Sequence, residues 1–503
     1  MTMHRTAGAT FALITALLAA APSVAQSSAA TDAPATKPTS GDPKQTGGVV
    51  PVGALLSTRP RLQERLTVQQ AVAIALRESP VVRGAVQEVE VAVQRVQAAR
   101  AERRPWVSAN TFLSGGSAAN ILNSPAAVQP QMTMALPADA FFDQNVSLMY
   151  PLFTGNRLRA MVIQARALQE ASQAELETTH QDVALMVRLA YREVQARRSF
   201  LGVYRAALDQ NRERLRIDKL SFEQQRVPRF YVLRDEAEVA TAEQMLTNAE
   251  RDVEISLIQL KTLMGVHLES QLELTEPLQF QPSSTLLAAL GAGPTPPAEP
   301  SGGGDPQLLK LLDTAERYRP ELAAAARRRD AGTAEVEVFR GAYRPQVGVG
   351  IMADLMKMKG QPLFGGTTFG LTASLPLLDG GVRRARVGAA RAEAQKLEEA
   401  RRQVALQVGQ ETATALANLR AAERNVHAAR TATTAAEENH RIALLRYSSG
   451  IGINVEAFDA LAALVRARNA EVQALYEHQA AHDRLLRAVG ALSGPGSPPP
   501  VEK

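Results

Sequence analysis

Residues 151–155 read PLFTG and residues 376–380 read PLLDG, so one short motif occurs twice, 225 positions apart. The same offset relates LMG at 263–265 to AVG at 488–490, with no insertion or deletion between the two pairs. Loops at a protein surface change length readily, whereas helices that lie side by side over a long distance do not. The constant spacing therefore predicts an internal duplication built on long helices.

Each copy contains one uninterrupted run of helix-forming sequence, from Gly155 to about residue 226 and from Gly381 to about residue 449. A helix of about 70 residues is about 100 Å long at 1.5 Å per residue. Because the helix that follows each run is only about half as long, a second short helix is expected to stack end to end with it. Shorter helices are expected from Thr67 (as N-cap) to about residue 77 and at 80–104, 229–265, 306–318, 320–342 and 454–490.

Two segments of each copy alternate in character with a period of two residues, which predicts four β-strands. One face of these segments reads Val107, Ala109, Thr111, Leu113; Val146, Leu148, Tyr150; Val347, Val349, Ile351; and Phe369, Leu371, Ala373, Leu375. The other face carries mostly Ser, Asn, Gly and Thr. A soluble sheet over a core would alternate similarly, but a small, polar face suits a water-filled lumen better. Strands of about ten residues can cross a bilayer when tilted.

The composition excludes several classes of protein. The chain has no cysteine, so disulfides, thiolate metal sites and cysteine nucleophiles are excluded. Its net charge is only +5 over 503 residues, and its arginines are dispersed, so no nucleic-acid partner is expected. His478 and His482 lie four residues apart but lack the glutamate of a zinc-protease motif. We find no nucleophile–base–acid set and predict no enzyme activity, no cofactor and no metal site.

Six regions are expected along the chain. At the N-terminus, basic residues, an apolar run and a small-residue cleavage signal indicate a signal peptide for export. Segments rich in Ser, Pro and Gly indicate disorder. The regions are a cleavable signal peptide at 1–25, a disordered linker at 26–61, a first structural repeat at 62–280, a Pro/Gly-rich linker at 281–304, a second structural repeat at 305–493 and a disordered tail at 494–503.

Four strands are too few to close a barrel. An open sheet edge in lipid leaves backbone groups unpaired, at a cost of several kcal/mol for each group. Membrane barrels in bacteria have even strand numbers of at least eight, and a hollow one needs more. Copies of the chain are therefore expected to associate, and three copies would supply twelve strands.

The plan as a whole resembles the TolC family of bacterial outer-membrane efflux proteins. The residues that carry the resemblance are LTVQQA at 66–71, PLFTG at 151–155, PLLDG at 376–380 and RYSSG at 446–450. The resemblance covers residues 62 to 493, and each motif is short but all occur in order. It implies a mainly α fold with a small β part, a duplicated unit of a strand pair plus a long antiparallel helical hairpin. It further implies a homotrimer that forms a 12-stranded β-barrel on an α-helical barrel.

The resemblance also implies a location and partners. The trimer would lie in the lipid of the outer membrane, extend into the periplasm, and export substrates in a tripartite efflux pump or a type I secretion system. A periplasmic adaptor (membrane fusion protein) and an inner-membrane transporter would be its partners. By the same resemblance, the adaptor would dock at the helix tips, at Gln225 and Val227 in the first copy and at Gly450, Ile451 and Gly452 in the second.

The resemblance places a periplasmic gate beside the second tip. Tyr447 matches the tyrosine of the family's gate, and Glu456 and Asp459 match its acidic pair. Carboxylates at i and i+3 share one helix face, and threefold repetition would give two acidic rings that attract cations. Where one family member has an arginine, this chain has Gly452. Two simpler readings stay open: the acids are a solvated helix N-terminus, and Tyr447 is a core aromatic.

A second hypothesis belongs to another class of protein. Long helical hairpins are equally typical of a soluble periplasmic coiled-coil scaffold or adaptor. That class gives no reason for four strands with polar, lumen-like faces, so we prefer the export channel.

Overall fold

The computed structural model describes residues 63–114, 141–293, 305–358, 362–449 and 451–492. The expected signal peptide at 1–25, the linker at 26–61, the tail at 494–503 and Gly450 of the second tip all lie outside these residues. The chain divides into two units. One comprises Arg100–Leu158 and Arg340–Arg383, and the other contains the remaining described residues.

The described residues contain nine helices and six strands. In chain order these are β1 (Gln63–Leu66), α1 (Val68–Glu78), α2 (Pro80–Ala101), β2 (Trp106–Ser114), β3 (Phe141–Phe153), α3 (Arg157–Glu223), α4 (Arg229–Met264), β4 (Gln271–Leu274), α5 (Ser283–Ala289), α6 (Pro306–Tyr318), α7 (Pro320–Gly341), β5 (Gln346–Met358), β6 (Phe364–Ser374), α8 (Val382–Ser448) and α9 (Asn454–Ala488).

The duplication is confirmed at the level of whole elements. The long helices α3 and α8 have 67 residues each, and both their first and their last residues are 225 positions apart. The helices α2 and α7 have 22 residues each and are related by an offset of 240. Thr67 caps α1 as expected, with its side chain accepting from Gln70 N–H and the Gln70 side chain accepting from Thr67 N–H.

The four predicted strands form one antiparallel sheet in the first unit. Its order is β2-β3-β5-β6, so β3 of the first copy pairs with β5 of the second. Leu148 lies opposite Ile351 across this central pair. The strands β2 and β6 lie at the edges, and neither pairs with a further strand in the part of the chain that the structure describes.

The second unit is helical and has two main apolar cores. One core surrounds Leu66, Tyr191 and Met264, and the other surrounds Leu311, Leu419 and Leu485. Sequence reasoning missed a small parallel pair of strands, β1 with β4, beside the first core. Within the described ranges, no helix combines the length and apolar character that a transmembrane helix needs.

The helices α4 and α9, which follow the long helices α3 and α8 and are called the return helices, each end at the junction between the two shorter helices of their own repeat, as the expected end-to-end stacking requires. Gly265, just after α4, adopts φ +71°, and a Cβ there would lie 2.8 Å from the Glu78 carbonyl oxygen. Gly490, just after α9, adopts φ +75°, and its Cβ would lie 2.6 Å from the Tyr318 carbonyl oxygen. Both positions therefore need glycine, for left-handed backbone and for close approach.

The range 281–304, expected as a Pro/Gly-rich linker, contains structure in its described part. The helix α5 starts at Ser283, and its Leu286 and Leu287 are buried in the second core. These leucines lie one next to the other in a seven-residue helix, which is too short to show a clear helical period. The other domain boundaries stay predictions.

Candidate functional site at the helix tips

The second tip is a tight turn between α8 and α9. Gly452 N–H donates to the Arg446 carbonyl oxygen at 2.9 Å, and a Cβ at Gly452 would lie 3.1 Å from the Tyr447 nitrogen. The turn therefore folds back against the last turn of α8, where only glycine fits without displacement. Ile451 is 77% exposed at the tip.

The first tip reaches a similar turn without glycine. Gln225 adopts φ +58°, the left-handed region that glycine favours, and its N–H donates to the Phe222 carbonyl oxygen at 2.8 Å. Val227 is half-buried, and Pro228 precedes the first residue of α4. The first tip therefore turns with a non-glycine residue in the left-handed region.

Tyr447 joins the two long helices at the second tip. Its hydroxyl donates to Asp218 Oδ1 at 2.6 Å. Asn454, the first residue of α9, donates from Nδ2 to the second oxygen, Oδ2, at 2.9 Å. Asp218 is 1% exposed, so both bonds lie in a dry environment where a hydrogen bond to a charged group is strong. One carboxylate of α3 therefore holds α8 and α9 together.

A second buried acid lies beside the first. Asp235 of α4 is also 1% exposed, and no donor in the described parts of the chain reaches either of its oxygens with hydrogen-bond geometry. Burial, and then the neighbouring Asp218 carboxylate, raise the pKa of Asp235 to about 7, against the opposing charge of Arg214. Two acids with one neighbouring arginine favour a state in which Asp235 keeps its proton.

Arg214 and His440 complete this buried polar cluster. The Arg214 guanidinium lies 4.1 Å from the centroid of the Phe458 ring of α9, a cation–π contact. Burial, and then the charges of Arg214 and Arg468, lower the pKa of His440 below its ordinary value. His440 is therefore neutral near pH 7. We call Arg214, Asp218, Asp235, His440, Tyr447 and Asn454 the tip cluster.

The environment of Tyr447 also makes its hydroxyl a weaker acid. Burial raises the pKa of the Tyr447 hydroxyl, and the charges of Asp218 and Asp235 raise it further. The hydroxyl therefore stays a donor at any physiological pH. The expectation that Tyr447 acts near the tip and the open reading that it packs in a core are both compatible with a half-buried ring whose hydroxyl is bonded.

The two predicted acids are not part of the tip cluster. Glu456 and Asp459 are both exposed on the first turns of α9. Glu456 Oε2 lies 3.6 Å from an Arg446 guanidinium nitrogen in a partly exposed ion pair. The structure of one chain thus brings Tyr447 together with Asp218, and keeps Glu456 and Asp459 on a solvent-facing surface.

Sequence reasoning missed Arg214, Asp218 and Asp235. A signal was present, because Leu208, Asn211, Arg214 and Asp218 follow a helical spacing of three to four residues on one stripe of α3. Charged residues on a long helix are usually solvated, so that spacing alone would not have singled them out.

Both tips expose apolar side chains. Phe230 and Leu233 near the first tip are 59% and 52% exposed, and Ile451 and Ile453 at the second are 77% and 56% exposed. Grouped exposed apolar residues are typical of surfaces that bind another protein.

Comparison with known proteins agrees with this architecture. The family model described as outer membrane efflux protein matches residues 71–266 and 311–491. Protein CyaE of Bordetella pertussis is 29% identical over 285 residues, which cover 51% of this chain and 60% of CyaE, so the match spans well under the full length of that relative.

Solved structures of outer-membrane proteins share the fold. The outer-membrane channel OprN superposes with a TM-score of 0.65 at 20% identity, over 90% of this chain and 98% of OprN. VceC of Vibrio cholerae superposes with a TM-score of 0.66 at 18% identity, over 84% of this chain and 96% of VceC. OprN is described as an outer-membrane channel and VceC as an outer membrane protein. With its duplicated strand pairs, its paired long helices and a family match over most of its length, the chain belongs to the outer membrane efflux protein family.

Proposed function

We propose that three copies of this chain form a channel-tunnel, with a 12-stranded barrel in the outer membrane and an α-helical barrel through the periplasm. The observation that carries the proposal is the four-stranded sheet with both edge strands unpaired in the described chain. Its edge strands also expose apolar side chains, with Leu113 76% and Phe369 74% exposed. The unpaired edges support pairing with neighbouring copies, and the outward apolar side chains support contact with lipid.

The second tip is proposed as the periplasmic gate. Tyr447 and Asn454 hold α8 and α9 to Asp218 of α3, so opening the tunnel would break these two hydrogen bonds. Buried, charge-assisted hydrogen bonds are suited to this role, because they are strong when formed and are replaced by water when the helices part.

Glu456 and Asp459 are proposed to form rings of negative charge at the constriction. Their exposure within one chain supports a lumen position. The test is block of the channel by multivalent cations, which rings of acid strengthen. Replacing both residues by alanine is expected to weaken block roughly tenfold. Replacing Glu437 and Glu438, which are ion-paired on the exposed surface of α8, is the control. Unchanged block in the first variant would remove the acids from the lumen.

Adaptor docking is proposed at the tips, at Gln225, Val227, Gly450, Ile451 and Gly452. The apolar exposure of Ile451 and of its neighbours at both tips supports this assignment. An inner-membrane transporter would complete either a tripartite efflux pump or a type I secretion system, and the transporter would choose the substrate.

Extraction and conductance together test the proposal. The protein is expected to leave membranes only with detergent and to give discrete conductance steps in planar bilayers. A soluble periplasmic scaffold or adaptor would leave with buffer and would conduct nothing, and that result would overturn the proposal.

A further inference from the structure

The two copies of the repeat meet at a close contact between a turn of the first and a turn of the second. Gly155 adopts φ +62°, and a Cβ there would lie 2.5 Å from the Gly341 carbonyl oxygen and 2.6 Å from Arg344 Cβ. Arg344 donates from Nη1 to the Gly155 carbonyl oxygen at 3.2 Å. Glycine and arginine are thus both needed at this contact.

The duplicated counterparts of these residues make no such contact among the described residues. Gly380 lies 225 positions after Gly155 and has the same φ of +62°, yet no atom lies within 4 Å of a Cβ built on it. Arg104 lies 240 positions before Arg344, and its guanidinium makes no hydrogen bond or ion pair with any described residue. Beside Gly380, Leu377 and Leu378 are 83% and 96% exposed.

The sheet repeats this pattern. The strands β3 and β5 pair with each other, whereas their counterparts β6 and β2 form the two edges of the sheet, and neither outer edge pairs with another described strand. Leu148 lies opposite Ile351 in the internal pair. The counterpart of Leu148, 225 positions later, is Ala373 of β6. The counterpart of Ile351, 240 positions earlier, is Thr111 of β2.

We propose that the contact between the repeats inside one chain is the template for the contact between neighbouring copies. Arg104 of one copy donates to the Gly380 carbonyl of the next, whose Leu377 and Leu378 are covered there. The strand β2 of one copy pairs antiparallel with β6 of the next, with Thr111 opposite Ala373. This inference rests on the proposed ring of copies and adds its register and its residues.

Residue-specific disulfide formation tests the register. The chain has no cysteine, so a Thr111→Cys, Ala373→Cys double variant carries only the two thiols of interest. Directly opposite residues place their Cβ atoms about 4.5–5.5 Å apart, close to disulfide geometry. Oxidation in membranes is expected to join chains into a covalent species of three copies on a non-reducing gel.

The control pairs Ala373→Cys with Val107→Cys, which lies on the same face of β2 as Thr111 but four residues away, or about 14 Å at 3.4 Å per residue. It is expected to link at least about tenfold less. Equal or better linking in the control, or no linking in the first pair, overturns the proposal. If native mass then still shows three copies, the register is wrong and the channel proposal stands. If it shows single chains, the channel proposal fails too.

A second measurement tests the Arg104 contact without cysteines. Arg104→Ala is expected to reduce the fraction of oligomer that survives mild heating in detergent by roughly fivefold, as loss of a hydrogen bond at every interface predicts. Arg103→Ala, a change of the exposed neighbouring arginine, is the control and is expected to leave that fraction unchanged. Equal losses in both variants, or none in Arg104→Ala, would refute the assigned contact.

Discussion

Tyr447 and Asp218 carry the most specific interaction at the candidate gate. The hydroxyl and the carboxylate lie 2.6 Å apart, and the acid is almost wholly shielded from water. The tyrosine was identifiable from its place just before the second tip. The aspartate was not, because its burial depends on how four helices meet at the tip, and no local pattern encodes that.

Replacing Tyr447 by phenylalanine removes one of the two donors to Asp218. Loss of a hydrogen bond to a buried charge costs about 2 kcal/mol, which corresponds to roughly a thirtyfold shift in a closed–open equilibrium. We expect a larger open fraction in single-channel recordings. The control is Tyr231→Phe, since the Tyr231 hydroxyl makes no hydrogen bond within the described chain. An unaltered open fraction for Tyr447→Phe would show that the bond does not hold the gate.

The acid pair predicts a pH dependence with a definite sign. The pKa of Asp235 is about 7 in the packed tip, raised by burial and by Asp218, and it would return toward about 3.9 on exposure to water. The packed tip therefore binds the proton more tightly than the open tip does. The proton on Asp235 therefore stabilises the packed tip. This contribution to the stability is fully present below about pH 4, falls as the pH rises from about 4 to about 7, and is lost above about pH 7.

The groups that face Asp235 come from every helix of the tip. They are Arg214 and Asp218 of α3, Tyr447 of α8 and Asn454 of α9, while His440 of α8 interacts with Arg214. Burial lowers the pKa of His440 below its ordinary value and Tyr447 stays protonated, so Asp235 is the group of the tip cluster that is expected to titrate near pH 7.

Asp235→Asn is expected to remove this pH dependence and to stabilise the packed tip at pH 8. The measurement is the melting temperature of the detergent-extracted protein at pH 5, 6, 7 and 8. Asp209→Asn, at an exposed position of α3, is the control. A parallel decline in both variants and the parent protein would show that other groups cause the dependence.

At the scale of elements, the constant offset between the two copies of the repeat predicted most of the helices. The starts of α2, α3, α7, α8 and α9 follow directly from prolines, glycines and the repeat offset. The parallel pair of β1 and β4 was not predictable, because four-residue strands are too short to show a period. The short helix α5 was hidden for the same reason, within a stretch whose prolines and glycines favoured a linker.

The glycines that end the return helices offer a test of the end-to-end stacking. Gly490→Ala would place a Cβ 2.6 Å from a backbone oxygen in a left-handed conformation, so it is expected to lower the free energy of unfolding by about 2 kcal/mol or more. Gly388→Ala, inside α8 with nothing within 4 Å, is expected to raise it by about 0.5–1 kcal/mol. Denaturant unfolding measures both. Similar effects of both changes would mean that the helices do not abut at Gly490.

At the scale of the whole molecule, the sequence predicted that one chain supplies only part of a barrel and does not close it alone. Among the described residues, the outer edges of β2 and β6 are unpaired and Gly380 and Arg104 lack the contact that Gly155 and Arg344 make, as the proposed contact between copies requires. How many copies close the ring follows from strand number and curvature, which no single chain contains. The count of three therefore rests on barrel geometry.

Native mass spectrometry of the detergent-extracted protein tests the central claim most directly. The account predicts one dominant species with the mass of three mature chains, which dissociates into single chains only on denaturation. A folded species with the mass of one chain, stable after removal of detergent, would contradict it.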